Sequence, residues 1–381
     1  MMKSLAASGL TWLALFFAAP VAHADPTVQT LLEKSLAAAR AKRQLPGVAA
    51  LVQKGGKVAA EAALGVRAEG HPEAVTTLDR WAIGSDTKAF TATLIARLVE
   101  QGVMRFDDTL AASFPALAKE MNPAYRQLTV TQLLSHTAGL PSLTDDKELP
   151  AFKAVIASAS GVKAQRAALA RKYLTMPPAS KVGEFSYSNV GFIIAGAIAE
   201  ARTGKSWEAL MQEQVFAPLG ITTAGFGLPG ASGKFDQPHG HQEQAGKLTP
   251  LDPADPDADN PLALGPAGTI HIALKDWLRF AQDQLDGAHG RGKLLKPQSY
   301  RKLHTPVTGN YALGWGVKLG PDGVPLLLTH SGSNGFWLAD IRIMPKHDLI
   351  FLVVMNVGTE AANQAVKDIV TPLNDQLKPF D

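Results

Sequence analysis

Ser85-Asp86-Thr87-Lys88, Tyr187-Ser188-Asn189 and His330-Ser331-Gly332 follow one another along the chain, far apart in sequence. Together they offer a hydroxyl nucleophile, an amine and a phenol able to move its proton, and a glycine-bearing strand whose backbone N–H groups can meet an acyl oxygen. That is the equipment for acyl transfer through a serine. The fold has to bring the three stretches together.

Ser-x-x-Lys occurs three times, at Ser85, Ser160 and Ser299, so the pattern alone is weak and context must separate the copies. After Ser85, Phe90, Leu94, Ile95, Leu98 and Val99 fall on one face of a helix that ends near Gly102. Ser85 then sits at the helix start, where its N–H has no intrahelical partner and the dipole favours developing negative charge. Lys88, three residues on, shares its face. The plainer alternative is a capping serine beside a surface lysine. Ser160 reads as part of an Ala/Ser-rich helical stretch and Ser299 as a helix start beside Pro297, so both are set aside.

Tyr187 reads as a loop residue just before an apolar helix over Val190–Ala199. A nearby ammonium predicts a phenol that ionises more readily and can accept a proton. Asn189 can orient a lysine or hold a substrate amide. A turn tyrosine packed on the core, with Asn189 as a cap, is the competing reading. His330-Ser331-Gly332 closes an apolar strand that begins at Leu326. Gly332 permits close backbone approach, so a substrate can lie along the strand and bond the Ser333 N–H. With the Ser85 N–H this makes an oxyanion hole, each donor typically worth ~3 kcal/mol to a transition state. A simple strand-ending turn explains the same residues.

The elements around these stretches suggest what holds them. Thr27–Lys42 has helical spacing, and Gly47–Gln53, Lys54–Lys57 and Val58–Leu64 read as strand, turn, strand. Tyr311–Lys318, Leu326–His330, Phe336–Met344 and Leu349–Asn356 read as strands, and Glu360–Leu377 as a last helix. Helical patterns broken by loops fill the middle, with Pro250–Pro266 a loop. The expectation is an α+β architecture: one antiparallel sheet from both termini, flanked by helices, with an inserted, mostly helical lobe. The α/β lobe would span about 25–106 and 304–381, the helical lobe about 107–303, with a cleft between them.

Composition bounds the rest. The 381 residues, 46% hydrophobic and 19% charged, suffice for a large core, and a formal charge of +3 gives no sign of nucleic-acid or membrane binding. Met1-Met2-Lys3, the apolar run Leu10–Ala19 and Ala22-His23-Ala24 form the pattern of a secretory signal peptide, cleaved after Ala24. Cysteine is absent, which excludes disulfides and thiolate chemistry. The expected location is beyond the inner membrane, in the periplasm if the source is Gram-negative. The α/β-hydrolase elbow Gly-x-Ser-x-Gly is missing. Gly230–Phe235 fails as a phosphate loop because Phe235 stands where a hydroxyl must bind magnesium. His239 and His241 lack further paired ligands, so no metal and no cofactor is expected.

The three motifs in this order resemble those of the serine β-lactamase and penicillin-binding-protein superfamily. The resemblance is to its class C branch, where Tyr-x-Asn occupies the second position, and to the related family VIII esterases and D-amino-acid peptidases. Leu133–Leu140, Pro266–Thr269 and Tyr311–Gly316 are similar too, so the likeness runs from about Pro46 to Asn356. It implies that Ser85 is the acylated nucleophile, that Lys88 and Tyr187 share the base role, and that Asn189 positions substrate or Lys88. It also implies that His330 and Ser331 contact the substrate and the proton network. Where lactam hydrolases carry a lysine this chain has His330, whose charge is not fixed at neutral pH. An esterase or D-peptidase acting on small ester or amide substrates is therefore expected. The alternatives are a true β-lactamase or D-Ala-D-Ala carboxypeptidase, and a non-catalytic envelope binding protein of this fold. The expected partner is a small-molecule or peptide substrate, without nucleic acid or stable membrane insertion.

Overall fold

The computed structural model describes residues 25–144 and 147–377. The expected leader over 1–24 lies outside the described residues.

Helix α1 (Pro26–Arg43) starts where the Asp25 carboxylate accepts from the Thr27 N–H (2.9 Å), and it carries Arg40, Lys42 and Arg43 in its last turn. Strands β1 (Gly47–Lys54) and β2 (Lys57–Gly65) follow as a hairpin. The C-terminal part adds β3 (Gly316–Leu319), β4 (Pro325–Ser333), β5 (Leu338–Met344) and β6 (Leu349–Met355). These build one antiparallel sheet in the order β2-β1-β6-β5-β4-β3, so the two termini meet at β1 and β6, with Leu51 opposite Leu352.

Both faces of this sheet are covered, and the alternation of side chains decides which residue goes where. In β6, Leu349, Phe351, Val353 and Met355 pack with Val28, Leu32 and Leu36 of α1 and with Val366, Ile369 and Leu373 of the C-terminal helix Glu360–Leu377. Ile350, Leu352 and Val354 face the other way, into the main core with Phe90, Leu94 and Trp277. Fully burying one such side chain is worth about 1.5–3 kcal/mol.

Helix α2 (Thr87–Glu100) runs through that core, and every residue from Thr87 to Ala96 is buried. The sequence pattern predicts one apolar face; the structure buries all faces of the first turns. Ala89, Ala92 and Ala96 let neighbours approach, and the hydroxyls are satisfied internally: Thr91 donates to the Pro266 carbonyl (2.7 Å) and Thr93 to the Ala89 carbonyl (2.9 Å).

The α+β expectation holds, with three differences. Tyr311–Trp315 is not strand, and only Gly316–Leu319 pairs with β4; Gly314, in the left-handed region at φ 75°, breaks the extended run. Residues 107–303 are not wholly helical, because Ile270–Ala273 pairs with Arg80–Ala82 on one side and with Gly225–Phe226 on the other in a second sheet, and His241–Gln244 pairs with Lys247–Pro250. Helix Leu274–Ala288, placed by sequence in the helical lobe, packs against β1, β5 and β6. Its Trp277 and Phe280 share the main core.

Candidate active site

Strand Arg80–Ala82 leads into a 3₁₀ turn over Gly84–Asp86, and α2 begins one residue later. Ser85 therefore lies in the tight turn that feeds the helix rather than in its first turn. Two glycines explain how this turn meets β4. A Cβ on Gly332 would stand 2.0 Å from the Ile83 carbonyl oxygen and 2.6 Å from the Ser85 nitrogen. One on Gly84, at φ +47°, would stand 2.8 Å from the Ser333 nitrogen. Only bare backbone fits, and this contact brings the N–H groups of Ser85 and Ser333 side by side. The third motif is thus the last part of strand β4, not a turn after it. Beyond Thr329, β4 has no partner on the β3 side, so this stretch offers a sheet edge next to Ser85.

The first two motifs converge on one hydroxyl. Lys88 Nζ lies 2.9 Å from Ser85 Oγ, and the Tyr187 hydroxyl donates to the same oxygen at 2.8 Å. Lys88 also donates to Asn189 Oδ1 (2.7 Å) and to the Ala267 carbonyl (2.8 Å). Asn189 begins the helix Asn189–Thr203, capped by the Ser188 side chain, and its Nδ2 donates to the Leu143 carbonyl (3.1 Å). Its amide is occupied at both ends, so its contribution is to Lys88 rather than to a substrate amide. All of Lys88's partners are neutral.

Burial sets the proton preferences. It holds the fully buried Lys88 amine well below its ordinary value, with Asp86 pulling weakly the other way. The Asp86 carboxyl is itself pushed well above the carboxylate range by burial, then by Asp340. Both Asp86 oxygens lack hydrogen-bond partners. A neutral amine fits the geometry. Two hydrogens go to Asn189 and Ala267, and the lone pair accepts the Ser85 proton while Tyr187 donates to Ser85 Oγ. The expectation of an easily ionised Tyr187 is corrected: desolvation raises its phenol above the ordinary value, outweighing the hydrogen bond from its hydroxyl to Ser85. In this arrangement Tyr187 donates to Ser85 Oγ, and Lys88 Nζ lies within hydrogen-bonding distance of the same oxygen.

His330 and Ser331 are also corrected. His330 is buried, and desolvation is the main cause that lowers its ring to about 3. Both ring nitrogens are engaged, Nε2 with the Tyr311 hydroxyl (3.1 Å) and Nδ1 with the Ser331 carbonyl (3.0 Å). The ring therefore offers no charge and no free nitrogen to a substrate. The Ser331 hydroxyl donates to Asp340 Oδ2 (2.6 Å), whose other oxygen accepts from Arg342, so it serves β5 rather than the proton network. Ser333 Oγ accepts from the Gly335 N–H (3.0 Å), leaving its backbone as its contribution at the site.

The other Ser-x-x-Lys copies stay outside. Ser160 is exposed in a bend before helix Val162–Thr175, and Lys163 donates to the Gly204 carbonyl. Ser299 donates to Glu100 (2.6 Å). The histidines weighed as metal ligands are tied to backbone: His239 pairs with the Lys234 carbonyl, and His241 uses both nitrogens on the Asn356 carbonyl and the Glu69 N–H. Three site groups carry no role in the sequence reading: the Ala267 carbonyl, His136 and Tyr311. Each lies in a stretch singled out only for resemblance, and no local spacing links them to Ser85.

Comparison with known proteins agrees with this geometry. Residues 29–371 match the family described as Beta-lactamase. Penicillin-binding protein 4 of Amycolatopsis lactamdurans is 30% identical over 332 residues, covering 84% of this chain and 83% of that protein. Protein flp of Staphylococcus aureus (strain COL) is 24% identical over 350 residues, 91% of this chain but 66% of its own length. Among solved structures, SurE superposes with a TM-score of 0.70 at 26% identity, covering 93% of this chain and 76% of SurE. A class C β-lactamase from Rhodobacter sphaeroides shares the fold at a TM-score of 0.69 and 20% identity, covering 91% and 99%. With a match that spans nearly all of its described residues, the chain belongs to the Beta-lactamase family.

Proposed function

We propose that this protein is a serine hydrolase that forms an acyl-enzyme on Ser85 and acts on small ester or amide substrates of the esterase or D-peptidase type. The proton of Ser85 Oγ passes to the neutral Lys88 amine as the oxygen attacks the acyl carbon. The oxyanion lies against the N–H groups of Ser85 and Ser333. Collapse breaks the acyl bond, and the leaving group takes a proton from Tyr187, which is resupplied from Lys88. Water then attacks the acyl-Ser85 carbon with the same groups in reverse roles. No metal or cofactor enters these steps. The N-terminal pattern alone supports export to the periplasm.

One observation carries the choice of substrate class: His330 is neutral and hydrogen-bonded on both sides, where a lactam hydrolase needs a fixed cation for the substrate carboxylate. A structural neighbour described as SurE with D-Leu, 25% identical with a TM-score of 0.68, supports an acyl group of D-amino-acid type. The second reading, a D-Ala-D-Ala carboxypeptidase or true β-lactamase, is favoured by the likeness to Penicillin-binding protein 4.

The test is a panel of p-nitrophenyl esters, a D-Ala-D-Ala peptide and nitrocefin, with mass analysis of the peptide containing Ser85. Turnover of the esters, a transient acyl mass on Ser85 and loss of both in Ser85→Ala are expected. Nitrocefin hydrolysis faster than any ester would favour the second reading. Turnover retained by Ser85→Ala would remove the assignment of the nucleophile.

A further inference from the structure

His136 has a backbone conformation that its residue type seldom adopts, φ +58°, and it lies almost wholly out of solvent. Strain of this kind persists where the surroundings impose it. At His136 the surroundings are the loop that carries Tyr187. The His136 carbonyl accepts from the Ser186 N–H (2.8 Å) and its Nδ1 accepts from the Ser188 N–H (3.0 Å). The residues before and after Tyr187 are therefore both fastened to His136, and its ring lies 4.4 Å, centroid to centroid, from the Tyr187 ring.

The remaining ring nitrogen continues outward. His136 Nε2 is 3.2 Å from the Tyr311 hydroxyl, and that hydroxyl is 3.1 Å from His330 Nε2. Direction along this chain follows from one fact, that a backbone N–H can only donate. Since Ser188 donates to Nδ1, a neutral His136 has its proton on Nε2 and gives it to Tyr311. The phenol has one hydrogen, which goes to His330 Nε2. His330 then carries its own proton on Nδ1 and donates to the Ser331 carbonyl, 3.0 Å away. Every donor meets an acceptor, and the two rings hold opposite tautomers. A proton added to either ring would set donor against donor.

We propose that His136, Tyr311 and His330 form an uncharged, one-directional hydrogen-bond chain that locks the Tyr187 loop to strand β4, with His136 the positioning residue for the Tyr187 hydroxyl. The consequence for catalysis rests on the acyl-serine reading, whereas the chain itself does not. Tyr187 and the N–H of Ser333 come from different parts of the fold, yet the reaction needs both within a fraction of an ångström of their places around one acyl carbon. The Tyr187–Ser85 bond holds the tip of the loop to the turn under β4, and a second link would fasten the loop to β4 itself. The chain through Tyr311 does so without adding a charge that would alter Lys88.

Two measurements test this on the full chain. With ¹⁵N-labelled histidine, NMR at neutral pH should find His136 as the Nε2–H tautomer and His330 as the Nδ1–H tautomer. The same tautomer on both, or rapid exchange at either, would overturn the proposal whatever the enzyme's substrate. Kinetics on a p-nitrophenyl ester then separate positioning from scaffolding. His136→Leu and Tyr311→Phe should lower kcat about 10²-fold, as a misplacement of about 1 Å can, with KM little changed. His136→Asn, whose side-chain oxygen can accept from the Ser188 N–H in place of Nδ1, should recover much of the lost kcat. Equal losses in His136→Asn and His136→Leu, or unchanged kcat in His136→Leu and Tyr311→Phe, would refute the positioning role. Should the variants show no ester turnover, acylation of Ser85 by a fluorophosphonate reports the same ordering. Should wild type also fail to label, the acyl-serine reading falls while the tautomer result stands.

Discussion

Among the described residues, two lysine or arginine side chains lie at zero exposure, Arg166 in the helical lobe and Lys88 under Ser85, and their surroundings differ in one respect. Arg166 is met by two carboxylates: Nη1 donates to Glu200 (2.6 Å), Nη2 pairs with Glu208, and the carbonyls of Leu262 (2.7 Å) and Ala263 (3.1 Å) take the rest. Glu200 is braced in turn by the Trp207 N–H (2.9 Å). Lys88 meets a hydroxyl, an amide oxygen and a carbonyl, with the nearby carboxyl of Asp86 pushed toward its neutral form by burial. The charged cluster holds helices Val162–Thr175 and Asn189–Thr203 to the loop at 262–263. The uncharged one leaves a base free to give up and regain a proton. A buried nitrogen becomes chemistry when its counter-charges are left out.

The contrast can be broken from either side. Lys88→Met removes the proton acceptor, so kcat should drop about 10²–10⁴-fold while urea stability holds or rises, because a desolvated amine is replaced by an apolar side chain of similar size. Full activity in that variant would show that Lys88 is scaffolding after all. Arg166→Met should do the opposite. The buried Glu200 and the half-buried Glu208 lose their partner, costing about 3–5 kcal/mol of stability, while kcat of the folded fraction stays within about twofold. A small stability loss would mean that Glu200 and Glu208 take up protons cheaply.

Acid acts on buried histidines in several parts of the fold. Burial lowers His304 and His330 from 6.5 to about 3, and His241 and His271 to about 4. Between those values and 6.5 the unfolded chain binds protons that the folded chain refuses. Stability present above pH ~6.5 is therefore lost as pH falls toward the folded values, by about 1.4 kcal/mol per pH unit for each ring. Urea midpoints at several pH values measure this, and a midpoint that stays constant down to pH ~4 would mean the rings are already charged in the native state. The same shift removes His330 from the activity profile. No histidine step from it is expected between pH ~5 and ~8. The smallest effect belongs to a rejected copy of the first motif. Ser299→Ala, which loses one bond to Glu100, should cost about 1 kcal/mol of stability with turnover unchanged.

Most of the architecture was legible in local pattern. The continuous apolar runs in Leu349–Asn356 and Gly47–Gln53 marked paired strands, and helical spacing marked α1 and the C-terminal helix. Where local pattern misled, tertiary packing had overridden it. Tyr311–Trp315 has strand composition but is turned by Gly314, whose missing Cβ lets it approach the Lys88 carbonyl. Helix Leu274–Ala288 joined the sheet because its apolar face, with Trp277 and Phe280, completes the core under β6.

For the site, the chain order of Ser85, Lys88, Tyr187 and His330 named the groups and the kind of chemistry, because residue types fix what atoms are available. It could not say which of them holds a proton. Three-dimensional burial decided that. It favours a neutral amine at Lys88, an un-ionised phenol at Tyr187 and a neutral ring at His330, since the free energy of a charge depends on the solvent and dipoles around it. His136 and Tyr311 entered for the same reason: hydrogen-bond direction is set by neighbours in space, 52 and 19 residues away along the chain from the partners they serve at Ser188 and His330.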